Sequence, residues 1–417
     1  MIRAYRLPTL VELPAAIRGR LPPLARSVGL DPESELLFVT TEKDEVLSLD
    51  LETGRVDTVA TGVVLAALGP DETLFTVDGK HRLTTMARRV RLVWPQPLAA
   101  VPRELFGAAD QRLVAVMAGD PARPSVMRLV TVAADQPPAA RPIPLAGDVA
   151  ATRWGDLVAV AGDSGVLLID PLARREPAFI ALADHPRAIA FSPSGHRMYV
   201  GRRTGAGLAV IDRYEREEID GVALPTPAST LRLDTFGRWL LARPSIGDSV
   251  WVVDLPVKTL VGSVATSWNA DLPTITPDGA LVVGQGSDVV AYRPDSLKEI
   301  GRVTGGNGDL WIFTAWRPRG AYRGAFADVQ PGAPAGATDS ATPGGPLYVQ
   351  LSTSQNEAWS GEMAQQLSRA GLPARILQPK GPDDGYRVVL GPYPTRDQAE
   401  AIGRKLGRPF WIYQPPP

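Results

Sequence analysis

The chain has 417 residues with 44 basic and 45 acidic side chains, a formal net charge of −1, so bulk electrostatics carry no footprint of a nucleic-acid partner. It has no cysteine and only three histidines, His81, His185 and His196, scattered in sequence. That removes disulfides, thiolate metal sites and thiol catalysis, and gives no basis for a metal or any other cofactor.

Glycine and proline number 40 each, which predicts short elements separated by many turns. No apolar run approaches the ~18 residues that span a bilayer, so no transmembrane segment is expected. A chain of this length implies two or three domains.

The first residues, Met1-Ile2-Arg3-Ala4-Tyr5-Arg6-Leu7-Pro8, lack the basic, apolar and small-residue order of an export leader. Two readings stay open: no export, or a leader outside this sequence. Arg3–Glu12 then reads as one strand, a short turn and a second strand. The same outline recurs at Leu47–Val56, Leu167–Asp170, Ala209–Asp212, Trp251–Leu255 and Val290–Glu299. In most copies an Asp (Asp50, Asp170, Asp212, Asp254) opens the turn, where a short carboxylate can accept backbone N–H bonds just ahead of it. These four are read as turn residues and not as a carboxylate ring.

A second unit precedes each strand pair. Its clearest copy is Ala190-Phe191-Ser192-Pro193-Ser194-Gly195, with relatives at 29–34, 67–72, Leu233–Gly237 and Ile275–Gly279, and weaker ones near Phe106–Arg112 and Thr152–Asp156. Proline sets φ at the first corner of such a turn and glycine accepts a positive φ. A β-rich run follows, as in Met198–Gly201 and Leu281–Gly284. The spacing is near forty residues, and four short strands at that period are the pattern of a β-propeller. In outline the repeats resemble YVTN-type or WD-like propellers.

Seven turn units lie between about 24 and 304, with an eighth strand expected at Leu310–Trp316. Residues 2–17 have no leading strands of their own. They fit as the outer half of a blade whose inner half is 308–327, which would close the ring and protect its edges. The expectation is eight blades over 1–327, the last closed by the N-terminal strands. Seven is the alternative, because 103–147 is irregular and proline-rich. His185, His196 and the tryptophans read as turn and packing residues, and Gly305-Gly306-Asn307-Gly308 as a flexible connector.

Residues 328–346 have no apolar period and read as a Pro/Gly/Ala linker. From 347 to 417 the pattern is β-α-β-β-α-β. Leu347–Ser352 alternates as a half-buried strand. Asn356 can cap a helix lined by Met363, Leu367 and Ala370, which Gly371 ends. Ala374–Leu377 and Tyr386–Leu390 are strands around a Gly-Pro-Asp-Asp-Gly hairpin turn. Thr395 caps a helix with Ala399, Ile402 and Leu406 inward, and Phe410–Tyr413 is the last strand. This order predicts a small α+β, ferredoxin-like antiparallel sheet with both helices on one face.

The motifs Leu347-Tyr348-Val349-Gln350-Leu351-Ser352, Ala364–Gly371, Gly385-Tyr386-Arg387-Val388-Val389-Leu390-Gly391-Pro392-Tyr393 and Thr395–Ala401 resemble the SPOR (sporulation-related repeat) domain over about 347–413. The resemblance implies binding of peptidoglycan glycan strands freed of stem peptides, and with it a place in the bacterial cell envelope or periplasm and a part in cell division. By resemblance the glycan-binding positions are Gln350, Thr353, Tyr386, Arg387 and Ile412. An amide can meet sugar hydroxyls and N-acetyl groups, and an arginine can meet a lactyl carboxylate. The family's Gly-Ser-Phe after the glutamine is Ser352-Thr353-Ser354 here.

No nucleophile–base pair or ligand cluster is visible in the propeller. It is therefore expected to be non-catalytic and to bind a protein partner on one face. The alternatives are a lactonase- or hydrolase-type propeller enzyme targeted to the wall, and a cytoplasmic propeller scaffold.

Overall fold

The computed structural model describes residues 3–313 and 346–415, except 14–20, 32–35, 70–72, 88–89, 95, 109–111, 118–125, 134–135, 145–147, 153–156, 171–175, 194, 214, 235–236, 355–356, 370–371, 382–384 and 406–409. The chain divides into two compact units, Met1–Thr314 and Ala315–Pro417. The expected linker, 328–346, lies outside the described residues except for Pro346.

Among the described residues of the first unit, seven four-stranded antiparallel sheets follow one another, each with its strands in chain order. Their first strands are Leu24–Asp31, Val63–Leu68, Pro102–Ala108, Val149–Ala151, Pro186–Phe191, Ala228–Leu233 and Thr274–Ile275. First strands of successive sheets contact one another from the first sheet to the third and from the fourth to the sixth, which makes these strands the innermost. The second and third strands are the core. Trp239–Pro244 and Ser249–Asp254, for example, are almost wholly buried. Outer strands such as Glu217–Val222 are largely exposed. The fold is the expected propeller, and the proline-rich 103–147 stretch forms a complete sheet of Pro102–Ala108, Arg112–Met117, Val126–Ala133 and Gln136–Pro144.

The repeated turns explain why these strands recur. In three copies the residue opening the turn donates a backbone bond across it, Ser192 to Arg197, Asp234 to Trp239 and Thr276 to Ala280, while Gly195, Gly237 and Gly279 donate to the carbonyl of the opening residue. All three glycines have positive φ, 69°, 70° and 92°, where a side chain would be strained. Two of the Asp turns are capped as expected, at Asp50 and at Asp212, which accepts from the Glu215 N–H; Asp254 pairs instead with Arg238, and the turn after Asp170 lies outside the described residues. Asp50 Oδ1 accepts N–H bonds from Glu52 and Thr53 at 3.0 and 2.8 Å, and these bonds hold its carboxyl below the usual range.

The place of an eighth blade is held differently from the others. Ala4–Arg6 and Val11–Leu13 form a two-stranded hairpin. Leu10, Tyr5 and Leu7 pack into the core of the seventh sheet. Residues 310–313 form no strand ladder among the described residues, and 314–327 lie outside them. The side chains still alternate: Trp311 and Phe313 join the seventh sheet's core, whereas Ile312 joins that of the first. Arg3 pairs with Asp309 at 2.8 Å, and Tyr5 and Trp311 lie 5.4 Å apart between ring centroids. The two ends of the propeller sequence therefore meet between its first and seventh sheets.

One expectation is corrected here. Residues 305–308 are no loose connector: Gly305 N–H bonds Asp288, Asn307 donates to the Gly286 carbonyl, and the Trp311 indole donates to the Gly306 carbonyl.

In the second unit the strands Leu347–Ser354, Ala374–Leu377, Tyr386–Tyr393 and Trp411–Tyr413 form one antiparallel sheet, with the first and third strands central. Helices Glu357–Arg369 and Arg396–Lys405 pack on it. Met363, Leu367, Ala399 and Ile402 are buried as expected, and Thr395 caps the second helix through the Gln398 N–H at 3.3 Å. Asn356, Ala370, Gly371, Asp383, Asp384 and Leu406 lie outside the described residues. Among the described residues no helix is long and apolar enough to cross a membrane.

Candidate functional site

The two faces of the small sheet are told apart by register. Ser352 touches Met363 of the first helix, Oγ to Sδ at 3.3 Å. Ser352 pairs with Val388, and Val388 with Ile376, so these three lie on the helix-bearing face. Neighbours along a strand point to opposite faces. Thr353, Arg387 and Leu377, one register step on, therefore lie on the face without helices.

Gln350 lies three residues before Thr353, and in a regular strand that spacing would set them on opposite faces. The ladder slips between Gln350 and Ser352. This bulge leaves Leu351 as the extra residue and brings Gln350 to the same face as Thr353. The side chains meet: Gln350 Nε2 donates to Thr353 Oγ1 at 2.8 Å. Arg387 Nη1 donates to Gln350 Oε1 at 3.2 Å and to Thr353 Oγ1 at 3.4 Å. Three of the five expected positions thus form one hydrogen-bonded set. Gln350 is 8% exposed, so it lies beneath the more accessible Arg387 and Thr353.

The other two expected positions are placed elsewhere, and both for reasons of parity. Tyr386 adjoins Arg387 and faces the helices, where its hydroxyl donates to Glu357 Oε2 at 3.1 Å. Ile412 pairs with Val349, a fully buried residue of the helix-bearing face. Neither belongs to the Gln350–Arg387 set.

Three residues that sequence reasoning passed over belong to it. The Arg387 guanidinium carbon lies 4.7 Å from the Tyr413 ring centroid. Tyr348 pairs with Tyr413 in register, and Arg375 lies 5.6 Å over the Tyr348 ring. Arg375 also donates to the Gly391 carbonyl. Tyr348 is buried beneath Arg375, so the surface combines two arginines with the partly exposed Tyr413 ring, and an exposed arginine–ring contact contributes about 0.5–1 kcal/mol. The usable signal was period two: Tyr348 and Gln350 are two apart, as are Arg387 and Val389.

In the propeller, no group of three or more His, Asp or Glu among the described residues is placed to hold a metal ion. His196 is partly buried, and burial together with Arg213 pushes its pKa down.

Residues 343–409 match the family model described as the SPOR domain. No curated protein matches the chain in sequence. Among solved structures, dihydro-heme d1 dehydrogenase NirN in complex with DHE is similar at 15% identity and a TM-score of 0.50, over 71% of this chain and 69% of that one. The β-propeller domain of Cps50 (Swd1) from Myceliophteria thermophila is 14% identical with a TM-score of 0.40, over 70% and 90%. An oligogalacturonate lyase from Vibrio parahaemolyticus is 12% identical with a TM-score of 0.48, over 72% and 94%. At such identities the likeness concerns the fold alone.

Proposed function

We propose that this protein binds the glycan strands of bacterial peptidoglycan through the helix-free face of its SPOR domain, and that it acts in the cell envelope or periplasm. The observation that carries the reading is the Arg387–Gln350–Thr353 set beside Tyr413, in a domain that matches the SPOR model. A sugar polymer offers hydroxyls, amides and carboxylates. Arg387 supplies a cation for a lactyl carboxylate, Thr353 a hydroxyl, and Tyr413 an apolar face.

Stem peptides would obstruct a shallow sheet face, so the preferred substrate is glycan from which they have been removed, as at a division septum. The propeller is a non-catalytic platform for a protein partner. Sedimentation of the purified protein with sacculi tests the reading, with and without amidase treatment. Binding should rise after amidase treatment. Equal or lower binding to the treated sacculi refutes the preference for bare glycan, and no binding to either refutes the reading.

A further inference from the structure

The innermost strands of the propeller share a device that the repeat pattern did not reveal. In five sheets the second residue of the first strand is extra in the ladder. The slips fall between Leu24 and Arg26, Val63 and Leu65, Pro102 and Glu104, Pro186 and Ala188, and Ala228 and Thr230. The residues so displaced are Ala25, Val64, Arg103, Arg187 and Ser229. A bulge kinks the strand and re-aims its side chain, and bulges are frequent beside binding sites.

These strands also converge electrostatically. Arg26 of the first sheet acts on Glu104 of the third, which is not the next sheet in order, and on Asp271 just before the seventh, across the seam. Arg187 of the fifth sheet acts on Asp148, just before the fourth.

At two neighbouring bulges the ring opens into a cavity of about 460 Å³, lined by Arg187, Ser229, Thr230, Arg243, Ser245 and Asp248 among others. Ser229 Oγ donates to the carbonyls of Arg243 and Pro244, which ties the sixth sheet's bulge to the strand that carries Arg243. Arg243 meets the exposed Asp248 only at 3.7 Å. No ion pair joins Arg187 to a carboxylate among the described residues. Arg232, on the same strand as Ser229 and Thr230, is held by the Pro273 and Asn269 carbonyls and adds to the positive field at Arg243.

The geometry points to a binding site for a compact oxyanion, a carboxylate or phosphate group, between Arg187 and Arg243 in the propeller. Two guanidinium forks with hydroxyls between them suit planar or tetrahedral oxygen groups. The apolar Ala25 and Val64 at the equivalent bulges of the first and second sheets leave this chemistry to one side of the ring. The site is independent of the glycan reading, since it lies in the other unit of the chain.

Calorimetric titration of the full chain with inorganic phosphate, and separately with malonate, tests it. At least one anion should bind in the millimolar range or tighter. Phosphate alone would mark a phosphate site, and malonate alone a carboxylate site. Arg187→Gln and Arg243→Gln should each weaken that binding about tenfold or more. Arg187→Lys, which keeps the charge without the fork, should fall between. Arg55→Gln, an exposed arginine paired with Asp57 in the first sheet, should change nothing. The proposal is overturned by absence of binding for both anions, by binding that survives the Arg187→Gln, Arg243→Gln double variant, or by binding lost only in an Arg375→Ala, Arg387→Ala variant of the terminal domain.

Discussion

Gln350 and Thr353 share one face of their strand although three residues separate them, because the bulge at Leu351 resets the alternation. Arg387 is held by both. The proposed glycan site therefore depends on backbone register as much as on side-chain identity.

Arg387→Ala should weaken binding to amidase-treated sacculi by about 1–3 kcal/mol, the loss of a charge-assisted hydrogen bond. Gln350→Ala should cost roughly 0.5–1.5 kcal/mol, since the buried amide acts by holding Arg387 in place. Raised salt should erode the arginine's share more. Co-sedimentation at two salt concentrations measures both. Unchanged binding by a folded double variant would place the contacts elsewhere.

Face assignment separates the remaining positions. Tyr413→Ala should reduce glycan binding by about 1 kcal/mol through lost ring surface and the lost arginine contact. Tyr386→Phe, which removes only an exposed hydrogen bond to Glu357, should leave binding and stability within about 0.5 kcal/mol of the parent. Ile412→Ala should lower thermal stability while a folded variant keeps its affinity. A large affinity loss in Tyr386→Phe would reverse the face assignment.

The propeller's seam should be sensitive to packing and indifferent to its ion pair. A Cβ added at Gly301 would meet the Thr9 carbonyl oxygen of the hairpin at 2.2 Å, so Gly301→Ala should displace the hairpin and cost about 1–3 kcal/mol. Arg3→Ala should cost less than about 1 kcal/mol, because both partners of the Arg3–Asp309 pair are substantially exposed. Urea denaturation of the two variants decides; equal losses would contradict the argument.

His196 gives the fold a pH dependence of defined sign. Burial, with Arg213 next, holds its pKa below the ordinary 6.5. The unfolded chain then binds the proton more readily, so stability falls as the pH drops below about 6.5. Glu104 and Asp148 have the opposite sign: burial raises both, and their contribution is lost as the pH rises through the raised values. His196→Gln should flatten the melting-temperature slope between about pH 7.5 and pH 5.5. An unaltered slope would assign the dependence to other groups.

Repeat and turn chemistry made the propeller legible in the sequence, because Pro–Gly corners and Asp turns act locally and recur as written. The helices of the terminal domain were legible for the same reason, through their period and the Thr395 cap. Face assignment was not. A bulge inserts one residue without a sequence mark, and one residue inverts which side chains share a surface. That is why Gln350, Thr353 and Arg387 came together while Tyr386 and Ile412 went to the other side. The bulges at Arg187 and Ser229 escaped notice on the same ground, as did the closure by Ile312, whose pairing is with the far end of the propeller sequence.

Residues 3–13 and 309–313 meet at one seam, so the ring is latched by the first and the last described residues of its own unit. The latch is the Tyr5–Trp311–Phe313 ring contacts and a two-stranded hairpin, so a pull on either of these ends would open side-chain packing before it reached any complete four-stranded sheet.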